Sequence, residues 1–291
     1  MPSERTWLRP VAVIVALVTF LITYAEVLRA LYRDWLNDDN YSHGILIVPL
    51  AAFFAWERRK ELAKLAPSPS AAGLVVVILS LGVLVAGTLG AELFLTRISV
   101  VGVLAGAIVF LLGWPYVRVL CFPLAFLLLM IPIPAIIFNQ IAFPLQLFAS
   151  EFGTSVMELA RVPVLREGNV IILAHTTLEV AEACSGIRSL ISLLTLGIVY
   201  GYFTDQRLWV RLAIAGSTIP IAIIANGLRV AGTGVLAHYY GREAAEGFFH
   251  TFSGWLVFVV AFMMLFLVAR TVLRLSPTPE PANVGPTRAT A

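Results

Sequence analysis

Two cysteines and four histidines make up the chain's small stock of groups able to act as nucleophile or base near neutral pH. One cysteine has a setting suited to chemistry. The stretch Glu-Val-Ala-Glu-Ala-Cys-Ser-Gly-Ile-Arg-Ser-Leu at 179–190 places Cys184 between a polar segment and the apolar run 187–203. If Ser185 and Gly186 open a helix there, free backbone N–H groups and the positive end of the helix dipole face the sulfur and favour thiolate over thiol. The competing reading is a buried cysteine acting as a small hydrophobe. Cys121, inside the apolar run 119–130, is expected to be of that second kind.

A thiolate that attacks a carbonyl needs a proton acceptor and a donor for the oxyanion. Asn226-Gly227-Leu228-Arg229 supplies an arginine within an apolar run, where it is costly unless it faces the protein interior or a wet cavity. The alternative is an Arg229 that snorkels to the headgroups. Asn226, three residues earlier, shares its side of the helix. His250, at the start of the last apolar run, titrates in the range a proton carrier needs. Arg188, four residues after Cys184, is the rival arginine, and Glu182 and Ser185 flank the thiol. His43, His175 and His238 are assigned to surface or packing.

The elements that must position these groups are membrane helices. A chain that is 59% hydrophobic and 13% charged, with mean hydropathy +0.91, is an all-α polytopic membrane protein rather than a soluble domain. Two distant cysteines do not form a disulfide framework, and no zinc-type spacing, Walker motif or dinucleotide glycine motif is present, so neither metal nor cofactor is expected. The net charge of +3 has no basic domain to bring to a nucleic acid.

Apolar segments at 10–30, 44–56, 72–93, 98–113, 119–138, 187–203, 212–236 and 251–269 give about eight spans, against the roughly 20 residues a bilayer core needs. The second and fourth are short. The first lacks a small-x-small cleavage site and is taken as a span. With both termini in the cytoplasm, the loop 57–64 together with Arg207, Arg211, Arg270 and Arg274 puts the basic excess inside. Cys184, Arg229 and His250 then come to one depth at the extracytoplasmic face. Residues 139–183 form an extracytoplasmic insert within a transmembrane domain spanning 1–276. Leu145, Phe148, Phe152, Val156 and Leu159 give its first part the pattern of an amphipathic helix on the outer surface. Short β-branched runs divided by Gly168-Asn169 and His175-Thr176 give the second part a β-hairpin or three-stranded cap. Residues 277–291 are expected to be a disordered cytoplasmic tail, and the Pro279-Glu280-Pro281 in it is taken as chance.

Glu182-Ala-Cys184-Ser-Gly-Ile-Arg-Ser, Asn226-x-x-Arg229, a histidine opening the last span and the early Tyr41-Ser42-His43-Gly44 stretch together resemble the exosortase/archaeosortase family of membrane cysteine transpeptidases. The resemblance runs from about residue 7 to residue 274. It implies Cys184 as the acylated nucleophile, with Arg229 and His250 completing a triad. A histidine at 250, where archaeal relatives often carry arginine, implies the bacterial exosortase branch. Also implied are a place in the bacterial cytoplasmic membrane, a link to exopolysaccharide production, and substrates that are secreted proteins with a C-terminal Pro-Glu-Pro type motif, transmembrane helix and basic cluster. Two other readings stand beside it: a transporter or channel with Arg229 as an anion site, and acyl transfer to a lipid or sugar through the same thiol.

Overall fold

The computed structural model of the protein describes residues 8–174, 176–180, 186–241 and 248–275. The chain divides into two compact units, Met1–Phe138 and Asn139–Ala291.

In the first unit, α1 (Leu8–Thr23) and α2 (Ala25–Asn37) are followed by α3 (Gly44–Glu57), the short α4 (Arg59–Leu62), the hairpin of α5 (Ala72–Leu89) and α6 (Leu93–Leu111), then α7 (Trp114–Val119) and α8 (Cys121–Phe126). Small residues let α5 and α6 approach closely. A Cβ added to Gly73 would stand 2.2 Å from the Phe110 backbone nitrogen, and one on Gly102 would stand 2.4 Å from Ser80 Oγ. Polar groups in a low-dielectric interior need partners, and two buried side chains of this unit have them. Tyr24 shares a hydrogen bond of 3.0 Å with Ser99, and the buried Arg97 forms an ion pair with Asp34.

A second device closes the break between α8 and α9 (Ala135–Leu159), where the 3-10 turn Leu127–Met130 and residues 131–134 leave the helical ladder. Two prolines, Pro132 and Pro134, prevent that ladder from continuing. Three side chains, one from the end of α2 and two from the loop after it, donate to carbonyls along it. Trp35 Nε1 donates to Met130 at 2.9 Å, Tyr41 Oη to Ile133 at 3.4 Å, and His43 Nε2 to Leu129 at 3.3 Å. Gly44 lies flat against the Trp35 indole, where a Cβ would come within 2.3 Å of Nε1. The Tyr41-Ser42-His43-Gly44 stretch is therefore part of a clasp on a segment outside the α-helical ladder that would otherwise expose its carbonyls.

In the second unit, α9 leads into an antiparallel sheet of β1 (Val164–Glu167), β2 (Val170–Leu173) and β3 (Thr177–Glu179), ordered β1-β2-β3. Then come α10 (Ile187–Thr204), α11 (Leu208–Tyr240) and α12 (Phe248–Leu275). Two apolar clusters build this unit. One joins Ala149 and Met157 of α9, Ile171, Leu173 and Val180 of the sheet region, and Val230, Ala231 and Ala237 of α11. The other joins Leu193 of α10, Ile214, Ile221 and Ala225 of α11, and Ala261, Leu265 and Ala269 of α12.

Among the described residues five helices are long and apolar enough to cross a membrane: 72–89, 93–111, 187–204, 208–240 and 254–275. Counting each bent pair as one span, Val13–Thr23 with Ala25–Asn37 and Cys121–Met130 with Ala135–Leu159, gives up to seven. The expected figure of eight also needs α3, which is apolar but only 14 residues long. The protein is a multi-pass, helical membrane protein with a small three-stranded sheet. Two local expectations are corrected. Cys121 is exposed, because it opens the short α8 on its outward side. The helix expected within 139–183 begins at Ala135, and Phe148 (59%) and Leu159 (85%) of its apolar stripe are exposed, as a face laid on a membrane surface is, while Val156 packs on the first apolar cluster. Ala142, Ala149 and Met157 are buried. Gly153 presses so closely on α11 that a Cβ there would stand 2.7 Å from Val230 Cγ1. Small residues allow helices to approach within a membrane protein, which leaves the bulky apolar ones for the outside.

Candidate active site

The apolar run after Cys184 becomes α10, which begins at Ile187. Gly186 holds that helix start at φ +79°, a left-handed conformation that a residue with a Cβ adopts only at a cost. Its carbonyl accepts the first helical hydrogen bond, from Leu190 N–H at 2.8 Å. Glu182, Cys184 and Ser185 lie outside the described residues. The glycine beside them fits tightly on α11: a Cβ on Gly186 would stand 2.7 Å from Asn226 Cγ and 2.8 Å from Asn226 Cβ. Asn226 is 3% exposed and lies beneath this turn. Arg188 is half-buried in the first turn of α10.

Arg229 follows Asn226 by three residues on α11, about 32 Å from the helix start at 1.5 Å per residue. It is half-buried, and its guanidinium reaches α12: a Cβ on Gly254 would stand 3.6 Å from Arg229 Nη2 and 3.7 Å from Cζ. Gly254 comes four residues after His250, so the two positions share one face of α12 one turn apart. The backbone of His250 lies in the first turn of α12, and its side chain lies outside the described residues.

Two relations emerge that spacing alone did not give. The segment 226–229 lies where the apolar clusters part, with Ala225 in one and Val230 in the other. Val180, which precedes residues 181–185 in the chain, belongs to the first cluster, and Leu193, which follows them, to the second. An asparagine and an arginine thus occupy a polar seam between two packed regions, the interior setting in which an intramembrane arginine is tolerated. The second relation is the pair of glycines, Gly186 and Gly254, which bring α10 and α12 against the polar residues of α11. Sequence reading singled out neither as a positioning residue. The signal available was their place, two residues after Cys184 and one turn after His250.

The family model of the transmembrane exosortases (EpsH) matches residues 35–267, most of the chain. The chain belongs to the transmembrane exosortase family. No curated protein and no solved structure matches it at a significant level. Membership in the exosortase family agrees with an integral multi-pass membrane protein and with sorting-protease or transpeptidase chemistry in general. The family match also takes in the Trp35, Tyr41 and His43 clasp, α10, α11 and the part of α12 up to residue 267.

Proposed function

We propose that this exosortase-family protein is a cysteine endopeptidase and transpeptidase that cleaves the C-terminal sorting tail of secreted proteins. Cys184 is its nucleophile, and Arg229 and His250 complete the site. The observation that carries the reading is the packing of the Arg229 guanidinium against Gly254, one turn from His250, while Asn226 beside it lies under the glycine that follows Cys184-Ser185.

In the proposed reaction the Cys184 thiol gives its proton to the His250 imidazole, and Sγ bonds to the scissile carbonyl carbon. Arg229, with Asn226, stabilises the resulting oxyanion. Arginine stays protonated and is a poor proton shuttle, so its role is electrostatic. Collapse breaks the C–N bond, His250 protonates the departing amine, and a thioester remains on Cys184. A second nucleophile then resolves it. The substrates carry a Pro-Glu-Pro type motif, a transmembrane helix and a basic cluster, and the work is linked to exopolysaccharide production. The site faces the extracytoplasmic side of the bacterial cytoplasmic membrane, with both termini inside, as the basic excess of the loop at 57–64 supports.

The test is a membrane-tethered reporter bearing such a tail, expressed with the protein or with Cys184→Ala. The wild type is expected to shorten the reporter and to yield a peptidyl thioester on Cys184 by mass spectrometry. Shortening that persists with Cys184→Ala would refute the reading, and a fatty acyl thioester would transfer the chemistry to lipid acylation.

A further inference from the structure

The outer edge of β3 is a second feature, close to Cys184 in the sequence. Val180 N–H donates to the Asn169 carbonyl at 2.8 Å, and Leu173 N–H donates to the Thr176 carbonyl at 2.8 Å. With the register Ile171↔Leu178, the alternation of an antiparallel ladder assigns the backbone groups of Thr176, Leu178 and Val180 to β2. The N–H and C=O groups of Thr177 and Glu179 therefore turn to the opposite edge. Among the described residues no strand pairs with that edge. The side chains of Thr177 and Glu179 are exposed, while Leu178 packs on the apolar cluster that anchors the sheet.

We propose that the β3 edge receives the extended segment of the substrate that precedes its scissile bond, pairing with it as an added strand. The inference rests on the peptidase reading and extends it to substrate binding. Three considerations favour this occupant. A carbonyl presented to a thiolate must come from chain that is not already bonded in a helix or sheet of its own. An added strand is held mainly through its backbone, so substrates that share only a short motif can differ upstream of it. The distances also fit: four residues separate Val180 from Cys184, at most about 14 Å of extended chain at ~3.4 Å per residue. The outer edge of β1 is less suited, because β1 lies two inter-strand spacings from β3, roughly 10 Å farther across the sheet.

The experiment uses the full-length protein with Cys121→Ser and Cys184→Ala, so that cross-linking is independent of cleavage. A single cysteine is introduced as Thr177→Cys or Glu179→Cys, with Leu165→Cys on β1 as the comparison. The probe is a tethered reporter with a Pro-Glu-Pro motif, an apolar helix and a basic cluster, its upstream residues replaced by cysteine one at a time. Disulfides from positions 177 and 179 are expected at every second reporter position, because side chains on one face of a strand recur with period two. Position 165 is expected to give few. Cross-links without that period, equal cross-linking from 165, disulfides only between two copies of the protein, or none at all would each overturn the proposal. The peptidase reading fails separately, if wild-type protein leaves the same reporter uncut.

Discussion

Replacing Gly186 with alanine tests the seam where it is tightest. The backbone at Gly186 has φ +79°, and a non-glycine residue in that left-handed region costs roughly 1–2 kcal/mol. The added methyl would stand 2.7 Å from Asn226 Cγ, while ordinary contact begins at 3.4 Å. The two groups must therefore separate by roughly 0.7 Å, and a displacement of about 1 Å in a catalytic constellation costs on the order of 100-fold. Reporter processing by Gly186→Ala is thus expected to fall about 100-fold. The folding penalty stays below the roughly 5–15 kcal/mol that stabilises an ordinary domain, so membrane levels of the protein are retained. Asn226→Ala in the same chain should not restore activity, because its Cβ would itself lie 2.8 Å from the new methyl and the amide proposed to face the oxyanion is lost. Gly216→Ala and Gly232→Ala serve as controls, since a Cβ at either meets nothing within 4 Å. They should keep full activity and gain up to about 1 kcal/mol of helix stability. Processing is followed by the size of the reporter, normalised to the amount of enzyme in the membrane. Wild-type processing by Gly186→Ala at wild-type abundance would refute the placement of Asn226 beneath the turn at Gly186.

Gly254→Ala should be tolerated, because its Cβ would meet Arg229 at 3.6 Å, whereas Gly254→Leu should push the guanidinium aside and abolish reporter processing. In the clasp, Trp35→Phe should lower the melting temperature in detergent more than Tyr41→Phe does, since its bond is 2.9 Å rather than 3.4 Å. A carbonyl left unsatisfied costs about 1–3 kcal/mol, and equal melting of the two variants would contradict the clasp. Burial pushes the His43 imidazole below its ordinary value, with backbone hydrogen bonds to Leu129 and Asn40 opposing the shift in part. The folded protein therefore binds fewer protons than the unfolded chain, so His43 contributes stability above about pH 6.5 that is lost as pH falls toward its lower folded value. Melting temperature against pH should show this loss below about pH 6.5 in the wild type and a flatter profile in His43→Gln.

Local pattern made part of this structure legible. Strands at 164–167 and 170–173 follow from β-branched runs divided by Gly168-Asn169, and the start of α10 follows from small residues ahead of an apolar run. What stayed hidden depended on partners distant in sequence. The buried face of α9 is lined by Ala142, Ala149 and Gly153, because a close helix contact selects small residues while bulky ones face outward. The hydrophobic stripe of Phe148, Phe152 and Leu159 faces outward, as on a helix lying at a membrane surface, and so did not mark the face that packs within the protein. The number of spans depends on breaks that apolar length does not show, such as the one at 131–134, while the 14-residue α3 matches the short second apolar run of the sequence. Asn226 and Arg229 could be picked out by their cost in an apolar helix, but Gly186 and Gly254 acquire meaning only when the neighbouring helices are in place.

The clasp on 129–133 also bears on the order in which the chain is made. Trp35, Tyr41 and His43 precede the carbonyls they hold by 95, 92 and 86 residues. During synthesis the donors have left the ribosome long before the proline-broken segment arrives. That segment, which has no helical ladder of its own, can meet waiting partners as it enters the bilayer instead of lingering there with bare oxygens. A circular permutant that made residues 127–134 first would reverse the sequence of events and face its most exposed moment at the start of insertion.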